Sequence, residues 1–221
     1  MNFANTINLK LDEHHLLKHD FYKAWNRGEL KRSTLKTYAT EYYHHVAAFP
    51  RYLSAIHSNC PDLAMRQVLL GNLIEEEQGD ESHPELWQRF SDGLGATRNE
   101  IQQKPQLKET RELVDGYFEL TKSDFATGLG ALYAYERQTP DVSESKRKGL
   151  REFYNIEDER TLQFFTVHME ADKWHSDECA ALINKLDTNN QEKAAKGAEM
   201  GAKLLWGFLD GMMVVHTTRI N

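Results

Sequence analysis

Apolar side chains recur every three or four residues along most of the chain, which is the spacing of one face of an α-helix. The clearest stripe extends from Leu35 to Ile56 and includes Tyr38, Tyr42 and Val46. No segment shows the alternation of apolar and polar residues that is typical of a strand. We therefore predict an all-α protein, a single domain over residues 1–221 with about seven to nine helices.

Prolines, glycines and capping residues mark the predicted ends of these helices. The predicted helices are one ending near Gly28, one from Ser33 or Thr34 to Ile56, two beginning at Pro61 and Pro84, and others over residues 108–121, 125–140, 143–154, 158–186 and 190–213. Pro50 lies inside the second helix and should kink it, because proline cannot donate a hydrogen bond to the carbonyl of Val46.

Ionisable side chains occupy the apolar stripe of the segment 158–186. Leu162 begins this stripe and Leu182 lies near its end. Between them, the same stripe holds His168, Asp172 and His175, which lie within about 60° of one another around a helix. Three polar groups are therefore predicted to point toward the core.

The same pattern occurs on two other segments. Glu136 continues, by a step of four, the stripe that contains Leu132, and Glu76 continues, by a step of three, the stripe that contains Leu73. His83 follows Glu76 by seven residues and precedes an apolar stripe of its own. These carboxylates and this imidazole are also predicted to face inward.

Buried carboxylates are unfavourable unless cations compensate them. Two divalent metal ions would compensate three carboxylates and bind three imidazoles, and such mixed ligands suit iron, manganese or zinc. Spacing alone also allows a buried polar network, and it does not choose among Glu75, Glu76 and Glu77. The candidate ligands are Glu76, His83, Glu136, His168, Asp172 and His175.

A second metal pattern is present. Glu41 and His44 form a Glu-x-x-His motif, and Asp172 and His175 form its aspartate variant. Two such motifs with two single glutamates would describe a ferritin-like di-iron bundle. Because His44 lies off the apolar stripe and His45 lies on it, we rank this arrangement second and expect His45 to be a pocket residue.

Composition and charge indicate which partners and which compartment to expect. The formal net charge is −7, and the one short basic run, Lys146 to Arg151, is typical of a solvated helix start, so no nucleic-acid partner is expected.

Two cysteines are too few for a disulfide scaffold. Residues Met1 to His15 lack the apolar run of a signal peptide, and no stretch of about 20 apolar residues could span a membrane. A cytoplasmic protein is expected.

Several longer stretches are characteristic in combination. They are Phe21-Tyr22-x-x-Trp25, Tyr42-Tyr43-x-His45-x-x-x-Phe49-Pro50, Asn72-Leu73-x-x-Glu76-Glu77-x-Gly79-x-x-x-His83, Tyr133-x-Tyr135-Glu136-x-Gln138-x-Pro140, His168-x-Glu170-Ala171-Asp172-x-x-His175 and Gly207-Phe208-Leu209-Asp210. With these motifs, which occur in order over nearly the whole chain, the sequence resembles the haem-oxygenase-like di-metal oxidases. The resemblance is greatest to the branch that contains the chlamydial protein associating with death domains, a distant relative of pyrroloquinoline quinone synthesis protein C.

This resemblance implies a haem-oxygenase-like helical bundle without haem. It assigns metal ligation to the same six residues and selects Glu76 from the three consecutive glutamates. It also implies iron, with manganese as a second candidate metal, dioxygen as co-substrate, an unidentified reductant and a homodimer.

Relatives of this type supply para-aminobenzoate for folate synthesis by consuming their own side chains. The resemblance implies that Tyr22 gives the aromatic ring and Lys146 the amino group, in a single turnover. A metal centre that activates dioxygen is a strong oxidant, and a buried lysine with a lowered pKa is a nucleophile. Tyr38, Tyr42 and Tyr135 are further inward tyrosines that could take part.

Other functions remain open at this point. A relative of the pyrroloquinoline quinone type would oxidise a separate small molecule without metal. A thiaminase-like enzyme would use a nucleophilic cysteine, but neither Cys60 nor Cys179 has a base placed beside it in the sequence. Haem oxygenase chemistry would need an axial histidine, for which His14, His15 and His19 are the candidates. A non-enzymatic role in binding other proteins is the remaining alternative.

Overall fold

A computed structural model describes the backbone of residues 2–79 and 81–218, and all side chains of these ranges except those of residues 170–173. This part of the chain forms α-helices and two short 3₁₀ turns, with no strand. The helices are α1 (Phe3–Leu11), α2 (Asp20–Trp25), α3 (Arg32–Asn59), α4 (Leu63–Glu77), α5 (His83–Gly93), α6 (Arg98–Gln103), α7 (Lys108–Ser123), α8 (Phe125–Glu136), α9 (Thr139–Tyr154), α10 (Glu159–Lys185) and α11 (Thr188–Thr218). Among the described residues, none of the helices combines the length and the apolar character that a membrane span requires.

The all-α prediction is confirmed, and the corrections concern helix ends and two short helices. Lys31, not Ser33 or Thr34, precedes α3, and Asp62 caps α4 by accepting a hydrogen bond from the Met65 backbone amide. Pro140 lies in the first turn of α9, so it begins that helix and does not end α8. The helices α1 and α6 were missed because each is short and buries few apolar side chains.

Helix α8 lies at the centre of the bundle. Every residue from Gly128 to Glu136 is buried. Glycines allow the backbones of α8 and α11 to approach closely, since a Cβ atom at Gly130 would lie 1.9 Å from the carbonyl oxygen of Ala194, and one at Gly197 would lie 2.1 Å from that of Thr127. This packing leaves Glu136, the last residue of α8, inside the protein.

Aromatic side chains fill the space between α3, α5 and α10. The Trp87 ring of α5 packs against Tyr38 and Tyr42 of α3 and against Phe164 and Phe165 of α10, with ring centroids 4.7–5.9 Å apart. The indole nitrogen of Trp87 donates a hydrogen bond to the backbone of α3. These contacts fix the three helices that carry most of the candidate site.

Candidate metal centre and lysine chamber

Glu76, His83 and His168 come together in the interior. Each offers one ligand atom, and these atoms lie within 4.8 Å of one another. The Glu76 carboxylate lies 2.9 Å from Nδ1 of His83, and the His83 and His168 rings are 4.3 Å apart. All three side chains are buried. We call these residues the inner cluster.

Helix ends and a turn position the inner cluster. Glu76 is the penultimate residue of α4, and His83 is the first residue of α5. The turn between them contains Gly79 at φ 81°, a conformation that glycine adopts most easily. Helix α4 ends at Glu77 and α5 begins at His83. Glu76 and His83 therefore do not lie on one continuous helix, although they are seven residues apart.

His168 is held in one tautomer by its own helix. Its Nδ1 atom donates a hydrogen bond to the carbonyl oxygen of Phe164, at 2.7 Å. A carbonyl only accepts, so the proton lies on Nδ1, and Nε2 keeps the lone pair that a metal needs. Burial, and then the neighbouring His83, lower the pKa of His168 well below its usual value, which keeps the ring neutral.

These features fit a divalent cation. The cluster combines a buried carboxylate with two buried imidazoles, and mixed oxygen and nitrogen ligands suit iron, manganese or zinc. A cation there would compensate a carboxylate that burial otherwise disfavours.

Two other predicted ligands, Glu136 and His175, are also in the interior. Glu136 is buried and accepts a hydrogen bond from the side-chain amide of Asn72, at 2.9 Å. His175 is buried, with Nε2 lying 3.1 Å from a carboxylate oxygen of Glu75. The side chain of Asp172 lies outside the described residues. Among the residues whose side chains are described, three of the predicted ligands, Glu76, His83 and His168, come together in one cluster.

Glu41, from the rival ferritin-like pattern, has a different environment. Its carboxylate accepts hydrogen bonds from the backbone amide of Leu107, at 2.9 Å, and from the hydroxyl of Thr110, at 2.6 Å. These donors belong to the start of α7, where a negative charge is favourable. His44 is only half-buried and packs edge-on against Tyr43. Glu41 therefore anchors α7 to α3.

Lys146 is enclosed by aromatic rings. Its Nζ atom lies 5.2–5.5 Å from the centres of five rings, which come from α2, α3, α5 and α10. The rings are those of Tyr22, Tyr38, Tyr42, Trp87 and Phe165. We call this space the lysine chamber. The prediction of a solvated helix start over Lys146 to Arg151 is wrong for Lys146, because it faces inward from the middle of α9.

Burial sets the protonation of the chamber. It lowers the pKa of Lys146 to about 7, so much of this amine is uncharged at neutral pH. Burial also raises the pKa of Tyr22 well above its usual value, and the phenol stays protonated. The hydroxyl oxygens of Tyr22 and Tyr38 lie 3.0 Å apart in a hydrogen bond.

An aromatic contact joins the chamber to the inner cluster. The Phe164 ring stacks on His168, with centroids 3.9 Å apart, and meets Trp87 edge-on at 4.7 Å. Trp87 is also one of the five rings around Lys146. Trp87 belongs to the apolar stripe that follows His83, and the spacing of that stripe does not indicate which side chains Trp87 contacts.

His45 lies in the interior, as expected of a pocket residue. It is fully buried among aromatic rings, the nearest being those of Tyr117 and Tyr42, at 4.9 and 5.3 Å. Among the described residues, neither ring nitrogen has a hydrogen-bond partner. Burial lowers the pKa of His45 to about 3, so the ring is neutral.

Two curated proteins resemble the chain over almost its full length. It is 38% identical to a 4-aminobenzoate synthase of Chlamydia trachomatis over 214 residues, which are 96% of this chain and 93% of the relative. It is 39% identical to a 4-aminobenzoate synthase of Nitrosomonas europaea, over 95% of this chain and 90% of the relative.

Solved structures share the fold at low sequence identity. A TenA homologue of Pseudomonas syringae has a TM-score of 0.81 at 15% identity and covers 96% of this chain and 92% of its own. Haem oxygenase-1 of the cyanobacterium Synechocystis has a TM-score of 0.67 at 14% identity and covers 100% of this chain and 96% of its own. The family model for iron-containing redox enzymes matches residues 36–206. The chain therefore belongs to the family of iron-containing redox enzymes and has the haem-oxygenase-like fold.

Proposed function

We propose that this enzyme makes para-aminobenzoate for folate synthesis, taking the aromatic ring from its own Tyr22 and the amino nitrogen from its own Lys146. The observation that carries the proposal is the lysine chamber, where Nζ of Lys146 lies 5.5 Å from the centre of the Tyr22 ring. The names of the two 4-aminobenzoate synthases above support the identity of the product.

The inner cluster is the proposed place for the metal. Glu76, His83 and His168 would hold the first ion, and Glu136, Asp172 and His175 are proposed to complete a site for two. Two bound ions, iron or iron with manganese, would supply the oxidising power of the reaction with dioxygen as co-substrate. An external reductant is proposed to complete the electron balance.

Lys146 is suited to form the new carbon–nitrogen bond. An amine must be uncharged to act as a nucleophile, and burial lowers the pKa of Lys146 to about 7. The Nζ atom of Lys146 lies 5.5 Å from the centre of the Tyr22 ring and 5.3 Å from that of the Tyr38 ring. The amine is therefore held beside the ring that it would enter.

The new carbon–nitrogen bond would replace the ring carbon–oxygen bond, whose oxygen would leave as water, and oxidation at Cε of Lys146 followed by hydrolysis would release the nitrogen from the lysine. Oxidation at Cβ of Tyr22 with cleavage of its Cα–Cβ bond would give the carboxyl group, with dioxygen as the oxidant for both oxidations.

Tyr22 is suited to be the ring that is consumed. It is 1% exposed, and its hydroxyl is held by Tyr38. The hydrogen bond fixes the end of the ring that loses its oxygen when nitrogen replaces it. Tyr22 contacts Phe21, Trp25 and Tyr38. These side chains exclude water and would protect an oxidised ring from side reactions.

The test is a single-turnover reaction with matched variants. Purified protein is loaded with Fe(II) and Mn(II), given dioxygen and a reductant, and assayed for para-aminobenzoate and for the intact mass of the chain. We expect at most one product per chain, with Tyr22→Phe and Lys146→Arg making none.

Two control variants make the same kinds of substitution at a tyrosine and a lysine outside the lysine chamber. Tyr117→Phe alters another fully buried tyrosine, which packs on His45 and outside the lysine chamber. Lys148→Arg alters an exposed lysine on the same helix as Lys146. Both should keep the wild-type yield. Normal yield from Tyr22→Phe with repeated turnover would refute the proposal and indicate a separate small-molecule substrate.

A further inference from the structure

Three consecutive glutamates, Glu75, Glu76 and Glu77, end helix α4, whose last turn has no basic residue. The C-terminus of a helix is the negative end of its dipole, so carboxylates there are unfavourable. Glu76 turns inward to the inner cluster, whereas Glu75 and Glu77 are exposed. A local arrangement that opposes helix stability often has a functional reason.

Glu75 contacts a buried histidine from the solvent side. Its side chain is 55% exposed, yet Oε2 lies 3.1 Å from Nε2 of His175, whose side chain is 4% exposed. The residue that precedes His175, Trp174, is 69% exposed. This contact therefore crosses the boundary between solvent and interior.

Glu75 and Glu76 are adjacent in the sequence, but Glu75 lies at the surface and Glu76 lies in the inner cluster. Glu75 reaches His175, and Glu76 lies 2.9 Å from His83. Both contacts begin on the last turn of α4, so a carboxylate at the surface is followed directly by a carboxylate in the interior. Each contact pairs one carboxylate oxygen with one imidazole nitrogen, the donors that transition metals bind.

We propose that Glu75 and His175 form an outer loading position through which divalent metal ions enter the centre, an inference that rests on the metal site of the proposed function. Glu75 would offer its carboxylate to a hydrated cation at the surface, and Nε2 of His175, which Glu75 now contacts, would offer the next donor toward the interior. The inner ligands would then hold the ion. Glu75 acts in transit and is no resident ligand.

Electrostatics favours this position for capture. The exposed carboxylates of Glu75 and Glu77 and the negative end of α4 attract a cation at the surface. Of these two glutamates, Glu75 is the one that contacts His175. Glu75 would hold the cation only in transit, and its contact with His175 in the metal-free protein is weak because Glu75 is more than half exposed. Its removal should therefore slow loading and release to a similar extent and change the final affinity by less than about fivefold.

The experiment follows Co(II) uptake by the metal-free protein in a stopped-flow spectrometer, using the visible absorption of bound Co(II). The wild type is compared with Glu75→Gln and with the control Glu77→Gln, which removes the same charge from the same helix end. We expect Glu75→Gln to slow loading and release by about tenfold each. Stoichiometry should stay at the wild-type value, and the equilibrium affinity should stay within about fivefold of it. Glu77→Gln should load within about twofold of the wild type.

Three results would overturn the proposal. Equal slowing by both variants would indicate general attraction by surface charge, and an unchanged rate in Glu75→Gln would remove its role in loading. A lower final metal content in Glu75→Gln would make it a resident ligand. If the wild type binds no Co(II), the metal centre itself fails, and the proposed function fails with it. If the wild type binds Co(II), failure of the Glu75→Gln prediction leaves the proposed function standing.

Discussion

The amine of Lys146 lies 5.5 Å from the centre of the Tyr22 ring, although the two residues belong to α9 and α2. A hydrogen bond between these helices helps to hold them together, since the indole nitrogen of Trp25 donates to the backbone carbonyl of Lys146, at 3.3 Å. The fold thus places the amine of Lys146 and the phenol of Tyr22 side by side in the buried lysine chamber. This proximity is the basis of the proposed chemistry.

Replacing Lys146 by methionine should stabilise the protein in a pH-dependent way. The pKa of Lys146 is about 7 in the folded protein, against 10.5 for an ordinary lysine. Between these pH values the unfolded chain binds a proton that the folded protein lacks, so wild-type stability increases as pH rises through this window. Lys146→Met should be more stable than the wild type by roughly 3–5 kcal/mol at pH 6, and the difference should shrink toward pH 10.

Urea unfolding at several pH values measures this difference. Lys148→Met is the control, because Lys148 is exposed on the same helix. Its stability difference from the wild type should not vary over the same window. A constant difference for Lys146→Met would contradict the account of a buried amine.

Divalent metal should stabilise the wild type through the inner cluster. A ligand that binds only the folded state at 100 times its dissociation constant adds about 2.7 kcal/mol. Thermal unfolding with and without Mn(II) should show this increase for the wild type and for His44→Ala, and little of it for His83→Ala or His168→Ala. Loss of the effect in His44→Ala would favour the rival ferritin-like ligand set.

Glu41→Ala should destabilise the fold without affecting metal uptake. The substitution leaves the amide of Leu107 and the hydroxyl of Thr110 without their acceptor. Bonds to charged groups contribute most, so we expect a loss of about 2–3 kcal/mol in the free energy of unfolding. Glu112→Ala, which removes only an exposed ion pair with Lys108, should cost less than about 1 kcal/mol. Reduced metal content in folded Glu41→Ala would show that this carboxylate does more than hold α7.

Gly130→Ala should disrupt the contact between α8 and α11. The added methyl group would lie 1.9 Å from the carbonyl oxygen of Ala194, so the two helices would have to separate. We expect a loss of about 3 kcal/mol or more, measured by denaturant unfolding. Gly71→Ala is the matched control on α4, since nothing lies within 4 Å of its Cβ position. It should increase stability by about 0.5–1 kcal/mol, and equal losses in both variants would contradict the packing argument.

Helical spacing was enough to predict that four of the candidate metal ligands face inward. Glu76, Glu136, His168 and His175 are all buried, as their apolar stripes indicated. Glu76 rather than Glu75 or Glu77 faces the interior, a choice that spacing left open and the family resemblance made. Periodicity carries this information because a helix fixes the direction of each side chain relative to its neighbours.

Contacts between helices could not be predicted from periodicity. The pairing of Glu75 with His175 depends on how α4 lies against α10, and the chamber around Lys146 needs rings from four other helices. The run from Lys146 to Arg151 looked solvated because its residues are mostly charged. Its first lysine is buried because aromatic rings distant in the sequence enclose it.

The most direct test of the central claim is isotope transfer in one turnover. The protein is produced with ¹³C-labelled tyrosine rings and ¹⁵N-labelled lysine side chains, loaded with iron and manganese, and supplied with unlabelled buffer, dioxygen and reductant. The account predicts para-aminobenzoate that carries both labels, and a chain in which peptide mass spectrometry finds Tyr22 without its side chain and Lys146 without its amine. Unlabelled product, with Tyr22 and Lys146 intact, would contradict it.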